Sequence, residues 1–328
     1  MLSAQLPAQS VDFSTPAPVT PAATLDLAGV VSELAAIRAE WRRATGRAAT
    51  IGPREFPSRT IIAEVMQRLG GALFPMRLGP SDLQHESENF FVGHQLHAAL
   101  GALRQQVLLE LDGQEHDAVV ASPSARSLEM VEQLALALPG IRRLLDEDAL
   151  AAFHGDPAAQ SVDEVLLCYP GLLALLHQRV AHVLHRLGAR LVARIISELA
   201  HSATGIDIHP GAQVGRAFFI DHGTGVVIGE TCRIGDRVRI YQAVTLGARR
   251  VTSSMCSHQG ESPQRHPTIE DDVVIYAGAT ILGPVTIGSG SQIGGNVWLT
   301  HSVPPGSRIS QATALRQPLG ENGNNGTT

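Results

Sequence analysis

Cysteine is scarce in this chain: Cys168, Cys232 and Cys256 are its three, far apart and with no C-x-x-C pair. That excludes a disulfide framework and a cysteine-rich zinc site, and leaves free thiols in a reducing compartment. Excess positive charge is missing too, since 25 Lys and Arg face 31 Asp and Glu for a net charge of −6. Non-specific nucleic-acid binding is therefore not expected, although a local arginine cluster still suits an anionic ligand. No stretch reaches the ~20 uninterrupted apolar residues of a membrane-spanning helix. The run around Leu166–Leu187 is broken by Pro170, Gly171, Gln178 and Arg179. Nor do basic residues lead into an apolar run at the N-terminus, so no signal peptide is expected. The reading is a soluble cytoplasmic protein with no membrane or nucleic-acid partner.

What the chain does have is a ladder. From Thr268 to Val303 an aliphatic residue recurs every sixth position: Ile269, Ile275, Ile281, Ile287, Ile293 and Leu299. Four residues after each stands a small or branched one: Val273, Ala279, Val285, Ser291, Val297 and Val303. A period of six fits neither a 3.6-residue helix nor simple strand alternation, and it marks a parallel β-helix whose flat turns stack. One turn cannot close a core, so the repeat makes sense only as a stack. The ladder begins earlier, at Ile208, Val214, Ile220 and Val226, then slips by two and resumes at Ile228, Ile234, Ile240 and Leu246. The slip implies an irregular corner near Val226–Gly229, directly after DHGTG. Pro304-Pro305-Gly306 is expected to end the ladder.

With 328 residues, two folded parts are expected. Residues 1–22, rich in Pro, Ala, Ser and Thr, read as a disordered leader. Residues 23–204 read as an α-helical domain. Leu27, Val30, Val31, Leu34, Ile37 and Trp41 share one face of its first helix, over Leu25–Ala44. Further helices are expected over Arg59–Leu73, Ser81–Leu111, Ser124–Leu138, Leu144–Phe153, Val162–Cys168, Leu172–Leu187 and Ala189–Leu199. Residues 205–315 form the β-helix, with a polar loop inserted at 247–266, and 316–328 read as a disordered tail. The fold class is α+β. His177, His182 and His185 read as helix-packing histidines, because no carboxylate completes a metal set.

Polar residues gather where the period fails: Asp207 and His209 in DIHP, Asp221 and His222 in DHGTG, Arg265 and His266 in RHP. Asp207 and His222 are fifteen residues apart, near the eighteen of a three-sided coil. That spacing allows a carboxylate–imidazole pair able to orient a general base, and equally allows two separate corner caps. Arg265 is suited to gripping a carboxylate through two hydrogen bonds, or to anchoring the loop. Asp156, before Pro157, reads from its surroundings as a helix N-cap.

At these residues the sequence resembles the bacterial serine acetyltransferases. The resemblance runs from about Asp156 to Gly306. It rests on DP at 156–157, DIHPGAQVGRAFFIDHGTGVVIGET at 207–231, YQAVTLGA at 241–248, RHPTI at 265–269 and YAGATILG at 276–283. It implies an N-terminal helical bundle followed by a left-handed parallel β-helix of hexapeptide repeats. It also implies homotrimers, often paired, with active sites between neighbouring β-helices. By the same resemblance His222 is the base that deprotonates L-serine and Asp207 orients it. Asp156 and Asp221 hold the substrate ammonium, which replaces the N-cap reading of Asp156, and Arg265 holds the carboxylate with His266 alongside. Acetyl-CoA is the co-substrate, lying near Ala248 and Ala277; no metal is expected. L-Cysteine is expected at the serine site as a feedback inhibitor.

Three departures accompany the resemblance. The loop before Arg265 is long. Ala248 stands where many relatives have glycine. The terminal isoleucine that docks relatives into cysteine synthase is absent, so that complex is expected to be weak or missing. The alternatives are another hexapeptide-repeat O-acetyltransferase acting on a sugar or other hydroxyl, a zinc-dependent carbonic anhydrase of the same fold, and a non-catalytic scaffold.

Overall fold

The computed structural model describes residues 26–44, 56–112, 122–249 and 263–314. The leader 1–22, the tail 316–328 and Cys256 lie outside these residues, as does most of the inserted loop. The chain divides into two units, Met1–Pro53 and Arg54–Thr328. The first contributes one described helix, α1 (Leu27–Ala44), none of whose residues is buried.

In the second unit the helices come first: α2 (Arg59–Leu73), α3 (Pro75–Leu78), α4 (Glu88–Asp112), α5 (Pro123–Gly155), α6 (Val162–Cys168), α7 (Pro170–Leu187) and α8 (Arg190–Thr204). Where two helices are expected around Pro139, a single 33-residue α5 runs through it. Proline removes one backbone donor, but Leu134, Leu138, Ile141, Leu145 and Ala149 continue one buried stripe across it. That shared burial outweighs the local loss. Among the described residues no helix is long and apolar enough to cross a membrane.

Gly205, left-handed at φ +71°, caps α8, and the chain enters strands of two or three residues. These are β1 (Asp207–Ile208), β2 (Gln213–Val214), β3 (Phe219–Ile220), β4 (Val227–Ile228), β5 (Arg233–Ile234), β6 (Arg239–Ile240) and β7 (Thr245–Gly247). After the loop come β8 (Thr268–Ile269), β9 (Val274–Ile275), β10 (Thr280–Leu282), β11 (Thr286–Ile287), β12 (Gln292–Ile293), β13 (Trp298–Leu299) and β14 (Arg308–Ile309). A short α9 (Gln311–Ala314) follows. Strands three apart pair in parallel, and β14 pairs with β12, giving sheets β1-β4-β7-β10-β13, β2-β5-β8-β11 and β3-β6-β9-β12-β14. They are the three faces of a β-helix. Both positions of the hexad point inward: Ile269, Ile275, Ile281, Ile287, Ile293 and Leu299 are at most 1% exposed, and Val273, Ala279, Ser291 and Val297 are equally buried.

Register locates the irregularities. Val227 pairs with Thr245 and Thr280 with Trp298, each eighteen residues on, whereas Asp207 pairs with Val227, twenty residues on. The first turn therefore holds two extra residues. Thr245 pairs with Thr280 across thirty-five, which measures the inserted loop. The ladder does not stop at Pro304-Pro305-Gly306: Val303 bridges to Ile287, and β14 adds another rung on β12.

The helices seal the first turn. Arg179 and Asp148, both buried, pair through two hydrogen bonds of 2.7 and 2.8 Å. Arg179 also donates to the Gly215 carbonyl, and the Phe218 N–H donates to Asp148. Gln178 donates to the Ala212 carbonyl and the Ser197 hydroxyl to that of Ile208.

Candidate active site

The extra residues of the first turn fall at the corner joining the third face to the first. In a regular turn this corner has one left-handed residue, successively Gly225, Ala243, Gly278 and Asn296. The first turn adds His222 (φ +57°) and Gly223 (φ +91°). Glycine is required at 223, since a Cβ there would stand 2.5 Å from the Ile206 side chain. The insertion pushes the His222 side chain outward, leaving it 75% exposed beside the nearly buried Asp221.

Asp221, His222 and Asp156 lie together. Asp221 Oδ1 is 3.8 Å from His222 Nε2, and Asp221 Oδ2 accepts a 2.5 Å hydrogen bond from Arg239. Arg239 also donates to the Gly155 carbonyl at 2.6 Å, which ties the end of α5 to the coil next to Asp156. Asp156 accepts from the Tyr169 hydroxyl at 2.5 Å and from the Ala158 N–H at 2.8 Å. These bonds, reinforced by the charges of Arg239 and His222, hold the Asp156 carboxyl below its ordinary pKa. The same contact with Asp156 pushes the Tyr169 phenol up to about 12. The site thus holds an exposed imidazole beside the Asp221 carboxylate, with Asp156 near enough to feel its charge, a set able to receive a cationic amine and accept a proton.

Asp207 lies where this corner returns, its N–H donating to the Val226 carbonyl at 2.9 Å. No hydrogen bond joins its side chain to His222 among the described residues; the imidazole turns toward Asp221 instead. The eighteen-residue coil assumed for that pair is twenty here, because His222 itself belongs to the insertion.

Arg265 and His266 stand at another corner, between the first and second faces. Arg265 pairs with Glu230, while its Nη1 is buried without a partner among the described residues. The His266 ring packs over Gly229, where a Cβ would lie 2.1 Å from it. Its Nδ1 accepts from the Thr231 N–H at 3.1 Å. Burial, then the Arg265 charge, lowers His266 to about 4, so at neutral pH it is the uncharged tautomer with its proton on Nε2. Burial pushes the Glu230 carboxyl up, but the bond and charge of Arg265 and the neighbouring histidines outweigh it and leave the pKa lowered. Beside this corner opens a cleft of about 790 Å³, bordered by His182, Arg186, Arg190, Glu230 and Gln264.

Ala277 lies on the His222 corner, its carbonyl accepting from the Asn296 N–H; Ala248 lies on the Arg265 corner. Within one chain the two sets of site residues are therefore on different corners. The candidate metal ligands among the described residues are His185, His209 and Glu230, with ligand atoms within 4.8 Å of one another. Glu230 is engaged by Arg265, and His209 Nδ1 accepts from the Gly211 N–H. Of the helix histidines, His182 donates to the Pro210 carbonyl and His177 to that of Leu173.

Tyr169, Arg239 and Gln242 are the polar groups that motif reading missed. The Gln242 Oε1 is buried without a partner among the described residues, one turn along the His222 corner. Gln242 falls inside the YQAVTLGA motif without a role assigned to it, and Arg239 shares its place before a ladder isoleucine with Arg233.

The model of the bacterial transferase hexapeptide (six repeats) matches residues 266–301. A serine acetyltransferase of Synechococcus elongatus is 54% identical over 261 residues, covering 78% of this chain and 82% of that protein. One from Bacillus subtilis is 48% identical over 167 residues, 51% of this chain and 73% of the relative. Among solved structures, serine acetyltransferase isoform 3 of Entamoeba histolytica, in complex with cysteine, superposes with a TM-score of 0.65 at 36% identity. That match covers 75% of this chain and 80% of the other. With the left-handed β-helix, the helical cap and most of the length of a 54%-identical relative in common, this chain belongs to the serine acetyltransferase family of acyltransferases.

Proposed function

We propose that the chain transfers the acetyl group of acetyl-CoA to the hydroxyl of L-serine, with His222 as general base. The observation that carries this reading is the two-residue insertion, which exposes His222 beside Asp221 and within electrostatic reach of Asp156. The substrate ammonium is held by Asp156 and Asp221. Its carboxylate is held by Arg265, whose Nη1 is a buried donor without a partner among the described residues, with His266 offering Nε2–H. His222 removes the serine hydroxyl proton, and the oxygen attacks the thioester carbonyl directly. The tetrahedral intermediate expels CoA thiolate, which recovers the proton from the imidazolium. Asp207, at the foot of the same corner, orients the ring once substrate turns it away from Asp221.

The two corners carry complementary halves of this site, so one chain cannot complete it. We infer a homotrimer in which the His222 corner of one protomer faces the Arg265 corner of the next. The CoA arm then lies between Ala277 and Ala248, where small side chains permit close approach to the backbone. L-Cysteine, which matches serine in its ammonium and carboxylate, competes at the same place, in keeping with the cysteine complex of the Entamoeba relative.

Thiol release from acetyl-CoA with L-serine, a sugar acceptor or no acceptor tests the reading. Serine-dependent release is expected, and His222→Ala is expected to lower kcat by about 10²–10⁴-fold, the usual worth of a general base. Unchanged turnover in that variant, or release driven by the sugar, would refute it.

A further inference from the structure

Helix α1 buries no residue yet carries a continuous apolar row. Leu27, Val30, Leu34 and Ile37 are each 46–62% exposed, and Trp41 extends the row. The spacings run three, four, three, four. These are the a and d spacings of a coiled-coil heptad, with Val31 the one large apolar residue beside them. In heptad terms Leu27, Leu34 and Trp41 take the a positions, and Val30 and Ile37 take d. Leucine at a with a β-branched residue at d favours three or four strands over two. Val31, at e, widens the seam in the direction such bundles need.

The flanking charges select an orientation. Glu33 and Glu40 occupy g positions and Arg38 an e position. In a parallel pair a g residue meets the e residue five further along the neighbouring helix. Glu33 then faces Arg38 of the partner subunit, an opposite-charge pair. In an antiparallel pair g faces g, which would set glutamate against glutamate.

We propose that α1 is a parallel coiled-coil segment through which copies of this chain associate with one another. Eighteen residues make a helix of about 27 Å at 1.5 Å per residue. That is little more than two heptads and is marginal for an isolated helix. Tethering to an assembled body supplies what length does not, because it makes helix association intramolecular, at an effective concentration on the order of millimolar. Cyclic symmetry also gathers equivalent helix ends, as a parallel seam requires. The strand number of three rests on the trimer proposed above; the parallel self-association rests on α1 alone.

The test is site-directed disulfide trapping in the full-length chain, with Cys168→Ser and Cys256→Ser to remove background thiols. Val30→Cys places a thiol in the seam, and Ala39→Cys places one on the outer face. After mild oxidation with diamide, Val30→Cys is expected to give inter-chain disulfide dimers on a non-reducing gel and Ala39→Cys to give few. Adding Arg38→Glu should cut the Val30→Cys yield several-fold, and adding Glu33→Arg to that variant should restore it. Equal yields from the seam and outer positions would overturn the proposal, because α1 would then lie against its own chain or another surface. A yield indifferent to both charge changes would overturn it equally, by removing the parallel pairing. Light scattering on the unoxidised protein measures the trimer independently: a monomer refutes the assembly proposed above, whereas a trimer without trapping refutes only the coiled coil.

Discussion

His222 holds a left-handed backbone, a conformation that costs a non-glycine residue on the order of 1 kcal/mol or more. Other corners of the coil tolerate it as well, at Ala217, Arg237 and Ala243. What distinguishes His222 is that its residue is additional to the regular corner. Arg239 is the residue that secures its surroundings, bridging Asp221 to the carbonyl of Gly155. Arg239→Gln should therefore raise KM for serine about tenfold or more, as loss of a charge-assisted bond implies. The effect on kcat should be smaller, since the proposed base is untouched; steady-state kinetics separates the two. His266 and His209, both lowered to about 4 mainly by burial, predict acid sensitivity. Between pH 6.5 and 4 the unfolded chain binds protons at these positions that the folded chain refuses. Their stabilising contribution is thus complete above about pH 6.5 and is lost as pH falls toward 4. Urea midpoints at pH 7.5 and 5 should differ, and His266→Gln should shrink the difference. The motif residues Asp221, His222, Arg265 and His266 were legible in the sequence because they sit where its period fails. Tyr169 and Arg239 were not, since their roles depend on how closely α7 and the end of α5 approach the coil, which no local spacing encodes.

At the scale of elements, the hexad ladder was legible because each strand is only two or three residues long and sets one aliphatic residue into the core at a fixed period. The far end was less so. Proline and glycine at 304–306 read as a stop, yet they form one more corner, and the chain returns to lay β14 on β12. Pro139 misled in the same way, because local propensity is weaker than a buried stripe that runs through it. The join between helices and coil depends on the Arg179–Asp148 pair, which is 3% and 0% exposed. Breaking a buried pair strands the remaining charge, so Asp148→Ala should destabilise by about 3–5 kcal/mol. Chemical denaturation measures this, and a change below about 1 kcal/mol would mean the first turn is sealed by apolar packing alone.

At the scale of the whole molecule, the two halves of the proposed site occupy different corners of one β-helix. The resemblance implied sites between neighbouring β-helices, but the sequence did not tell which motif each protomer supplies. That division becomes visible only when register assigns each motif to its corner. A site completed between protomers makes a prediction that no single-chain site makes. His222→Ala spoils one half and Arg265→Ala the other, and each variant alone should be nearly inactive in serine-dependent CoA release. Co-expressed in equal amounts and assembled at random into trimers, they form about a quarter of their interfaces from two intact halves, by random pairing in a cyclic assembly. The account predicts recovery of about a quarter of wild-type activity; mixed trimers as inactive as the separate variants would contradict it.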